Sequence, residues 1–205
     1  MSFTLKSKSR EQDMTKGGIM SNLLTFAVPL LIGNLFQQLY NMVDTYVIGQ
    51  TGIAGDYAAV GSVGPIVNIL IGLFSGFASG AGVIISRYFG AGDKKGVEKA
   101  VHTSMMLTAI LCVIFTVAGV ISAPGMLDLM LDSERAGYSE MFGAGKTYLT
   151  IYFAGVSGLL IYNMGAGIMR AVGDSTRPLY FLIVCAIANT CLDFLFVFKF
   201  KMGVA

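Results

Sequence analysis

Five stretches of this 205-residue chain are about 20 or more residues long and nearly free of charge: 23–48, 57–85, 103–122, 148–169 and 179–198. A hydrocarbon core about 30 Å thick takes about 20 residues of α-helix to cross, at about 1.5 Å per residue. A soluble core has no need of such lengths. Backbone groups in lipid must pair within their own segment, and the two-residue alternation of a barrel strand is missing, so each run is predicted to be a transmembrane helix. Composition agrees, with 55% hydrophobic and 13% charged residues, against about 25% charged in ordinary soluble domains.

The organisation predicted is a polar segment over 1–21 and a membrane domain over 22–205, all-α and polytopic. A net charge of +2 gives no electrostatic footprint for nucleic acid. Cys112, Cys185 and Cys191 stand in apolar runs without metal or disulfide spacing and read as small packing residues. No cleavable leader pattern follows the basic start.

Orientation follows the lysines and arginines. Ten of the fourteen fall on one side: Lys6, Lys8, Arg10 and Lys16, then Arg87, Lys94, Lys95 and Lys99, then Arg170 and Arg177. Arg135, Lys146, Lys199 and Lys201 fall on the other. The N-terminus is therefore expected in the cytoplasm, in a plasma (inner) membrane, with the loop bearing Glu134 and Glu140 outside. That outer loop is expected over about 123–146, with Met126 to Leu131 as an amphipathic interfacial piece. After Lys201 a further apolar run begins, and the expectation is a chain truncated near the start of a sixth helix.

Gly72, Gly76 and Gly80 stand four apart and make a smooth stripe, expected to pack against a neighbouring helix or to let helices slide. Two carboxylates interrupt apolar runs, Asp44 in the first span and Asp193 in the fifth. An aspartate at mid-bilayer costs about 2.5–3.5 kcal/mol on insertion scales, so something must offset it. Asp44 lies six residues before Gln50 and Asp193 six before Lys199, which sets both about 9 Å below the outer exits. Gln37, Asn41 and Asp44 share one helical face, as do Asn189 and Asp193. One reading is that each aspartate reaches the interface or pairs within the fold. The other is a shared cavity in which two desolvated carboxylates raise each other's proton affinity and hold a proton or a cation. Asn68, Tyr162 and Asn163 are candidate cavity residues, with Ser75, Ser79, Gln38 and Tyr40 as weaker ones. His102, at a helix start, reads as an interface residue, and most of the twelve methionines as packing or lipid-facing residues.

Pro29 followed by Met42-Val43-Asp44-Thr45 and Val47-Ile48-Gly49, the turn Arg87-Tyr88-Phe89-Gly90-Ala91-Gly92, the stretch Met169 to Leu179 through Gly173-Asp174-Ser175-Thr176-Arg177-Pro178, and the fifth run with Asn189 and Asp193 appear in order. Together they resemble the N-terminal part of the multidrug and toxic compound extrusion (MATE) transporters. The resemblance implies two six-helix lobes, of which this chain supplies most of the first, the C-terminal lobe being the missing partner. It implies no enzyme and no cofactor, but export of drug-like, often cationic organic molecules by antiport with H+ or Na+. It also implies that Asp44, Asn189 and Asp193 couple to that cation, with Na+ as the possible metal. Rival readings are a lipid-linked saccharide flippase of the same superfamily, which favours a basic cavity, a membrane-embedded aspartyl enzyme, and a membrane scaffold.

Overall fold

The computed structural model describes residues 19–49, 54–131 and 138–199. Five long helices run through them: α1 (Ile19–Gly49), α2 (Ala54–Gly90), α3 (Lys94–Met130), α4 (Tyr138–Ala171) and α5 (Thr176–Asp193), the last continued by a π-helical turn over Phe194–Lys199. All five are long and apolar enough to cross a membrane. No strand occurs among the described residues. The polar start before residue 19 and the expected beginning of a sixth helix after Lys201 lie outside the described residues.

α4 is the centre of the bundle. α2 and α3 both pack on it and touch each other less, α1 packs on α5, and α4–α5 and α1–α2 contacts are sparse. The core is built from one face of α2 (Val63, Ile66, Leu70, Phe74) and one face of α4 (Leu149, Phe153, Val156, Leu160), closed by Ala123 and Leu127 of α3. These residues recur at three, four and seven, the spacing of a helical stripe. Phe115 of α3 meets Phe74 edge-on, with ring centroids 5.0 Å apart. Lipid offers apolar side chains as good an environment as another helix does, so fit rather than burial selects these contacts.

α3 ends at Met130 and α4 begins at Tyr138, so the helices take up much of the loop expected over 123–146. Met126 to Leu131 is no separate interfacial piece, because α3 runs on through Pro124 to Met130. Proline removes one N–H, which a packed membrane helix tolerates. Ala123 and Leu127, on either side of Pro124, are fully buried, and their packing carries the helix past the break.

The two turns on the opposite side share one design. Gly92 and Gly173 adopt φ of 70° and 86°, the left-handed conformation glycine takes without a Cβ penalty. Asp93 N–H donates to the Tyr88 carbonyl and Gly92 N–H to that of Phe89; Asp174 N–H donates to Met169 and Gly173 N–H to Arg170. Both are Schellman closures. The aspartate after each glycine then caps the next helix. Asp93 Oδ1 accepts the Gly96 N–H at 2.9 Å, and Asp174 Oδ1 accepts those of Thr176 and Arg177 at 3.1 and 3.0 Å. Pro178 falls in the first turn of α5, where an N–H has no helical acceptor in any case.

Candidate functional site

The acidic positions of the first and fifth spans belong to helices that touch. α1 packs on α5, and a Cβ on Gly33 would rest 3.6 Å from both Leu179 and Leu182. Three membrane spans separate the two helices in sequence, so α1 and α5 run parallel. Eleven residues beyond Gly33 is Asp44, and eleven beyond Leu179 and Leu182 are Thr190 and Asp193. Positions 44 and 193 therefore both lie about 16 Å further along the same pair of helices, within about a turn of one level. Asp193 is also where α5 gives way to the π-helical turn, a local change of register often found at functional sites. The side chains of Asp44 and Asp193 lie outside the described residues. Asn189 is half-buried, one turn before Asp193.

The other polar residues are spread out. Gln37 is half-buried, and Asn41 and Asn68 are exposed. The Thr45 hydroxyl donates to the Asn41 carbonyl at 2.8 Å. Tyr162 and Asn163 are half-buried on α4, and the Asn163 amide donates to the Leu159 carbonyl of its own helix at 2.9 Å. A groove of about 1000 Å³ opens between α2 and α3 over Met164 of α4, and none of Gln37, Asn41, Asn68, Tyr162 and Asn163 lines it.

The glycine stripe is on the wall of that groove. Gly72, Gly76 and Gly80 are exposed, and a Cβ added to any of them meets nothing within 4 Å. No described residue packs against this stripe. The close contacts are made by other small residues. A Cβ on Gly167 would stand 2.9 Å from the Ala78 carbonyl oxygen and 3.1 Å from its Cβ, and one on Gly82 would meet the Gly167 carbonyl and the Ala171 Cβ at 3.6 and 3.8 Å. Ala78 and Gly82 of α2 thus face Gly167 and Ala171 of α4, small residues four apart on both helices. A Cβ on Gly119 of α3 would fall on the Phe153 ring. The signal was present as mixed glycine–alanine pairs at the same spacing.

Where α3 ends and α4 begins, the Tyr138 hydroxyl donates to Asp128 Oδ1 at 2.8 Å. That bond, with some desolvation and the aspartate's charge, raises the phenol pKa above its ordinary value. At the other side Asp174 is buried, and Arg177 Nε stands 3.1 Å from its Oδ2 without forming a hydrogen bond to it.

Five apolar spans, packed as a three-helix group and a parallel pair, define a polytopic helical membrane protein. The chain belongs to the MatE family, the multidrug and toxic compound extrusion transporters, whose model matches residues 29–195. It is 30% identical over 193 residues to the probable multidrug resistance protein YpnP of Bacillus subtilis (strain 168), covering 94% of this chain and 42% of that protein. It is 25% identical to a FAD transporter of Shewanella oneidensis, over 86% of this chain and 38% of that one. Among solved structures, a MOP superfamily transporter from Pyrococcus furiosus superposes with a TM-score of 0.87 at 26% identity, over 96% of this chain and 42% of that one. The chain spans less than half the length of these relatives.

Proposed function

We propose that this chain is the first lobe of an exporter of drug-like, often cationic organic molecules, driven by inward movement of H+ or Na+. The observation that carries the reading is the shared level of positions 44 and 193 on two touching, parallel spans of a MatE-family lobe. The relatives named for multidrug resistance support the substrate class; the FAD transporter is named for a different cargo. In this reading the N-terminus is cytoplasmic and the membrane is the plasma membrane, supported by the distribution of basic residues.

Asp44 and Asp193 hold the coupling cation, and Asn189 supplies a neutral oxygen beside them. A cation arriving from outside neutralises the carboxylates, removing both their mutual repulsion and the cost of charge in a poorly solvated place. The lobe then relaxes and substrate leaves outward. After reorientation the cation departs inward, and the charged pair again favours a cationic substrate. The cation moves the equilibrium only to the extent that it binds the two states unequally.

Alternating access takes two halves rocking about a central site, so the 205-residue chain alone is inactive. The test is ethidium efflux from proteoliposomes under separately imposed proton and sodium gradients. A full-length form carrying this sequence as its first lobe exports ethidium under one of the gradients, and the 205-residue chain under neither. Gradient-driven efflux by the short chain would contradict the lobe assignment. Absence of efflux by the full-length form under both gradients would contradict the export reading.

A further inference from the structure

We draw no further inference here: the strongest candidate, the open groove between α2 and α3 along Gly72, Gly76 and Gly80, is an apolar face with nothing in the structure to show what covers it.

Discussion

At Gly167 the α4 backbone approaches α2 so closely that an added methyl group would stand 2.9 Å from the Ala78 carbonyl. That oxygen belongs to a helix and cannot swing aside. Gly167→Ala should therefore lower stability by about 1–3 kcal/mol, the usual cost of overfilling a close contact. Gly76→Ala, with nothing within 4 Å, should change it by less than about 0.5 kcal/mol. Reversible unfolding of the two variants in detergent measures both, and equal losses would contradict the packing described. Sequence spacing marks small residues but not which helix faces which, so it does not separate the open Gly72, Gly76 and Gly80 stripe from the packed Ala78–Gly82 and Gly167–Ala171 pairs. Tyr138 adds a pH effect. Its phenol pKa is raised by the hydrogen bond to Asp128, so the bond contributes fully below the ordinary tyrosine value of about 10 and is lost as pH rises through the raised one. The melting difference between the natural chain and Tyr138→Phe should shrink over that alkaline range. A difference that persists at high pH would mean the hydroxyl is not the source.

The two glycine–aspartate turns show how much an element boundary owes to a single side chain. Gly92 and Gly173 were legible as turn residues. The role of the following aspartate was not, because it depends on hydrogen bonds running both ways across the turn. Asp174→Ala should cost about 0.5–2 kcal/mol through loss of the cap. Asp174→Asn keeps an oxygen for the Thr176 and Arg177 N–H groups and should recover most of that loss. If the asparagine variant is as unstable as the alanine one, the Arg177 charge contact rather than the cap holds the turn. The other end of α3 misled sequence reading for the opposite reason. Pro124 and Gly125 look like a stop, yet Ala123 and Leu127 are buried against α4, and tertiary packing overrides the local break.

For the whole molecule, the long uncharged runs made five helices legible, since few other structures satisfy such lengths in lipid. Which helices touch was not legible, and that decides the site. Positions 44 and 193 are far apart in sequence, and their backbones come to a similar level because α1 and α5 run side by side. The bundle's orientation is a separate question with its own test. In a background with Cys112, Cys185 and Cys191 replaced by alanine, an impermeant thiol reagent applied to intact cells should label Ser139→Cys and spare Lys95→Cys. The reverse pattern would invert the topology.

The coupling role of the α1–α5 pair is tested most directly by gradient-driven ethidium efflux in a full-length form carrying this lobe, across a pH and sodium series. Asp44→Asn and Asp193→Asn should each abolish efflux while the protein still inserts in the membrane, and Asn189→Ala should weaken it less, since it removes a neutral oxygen rather than a charge. Wild-type efflux by either aspartate variant throughout the series would show that carboxylate to be structural and contradict the account.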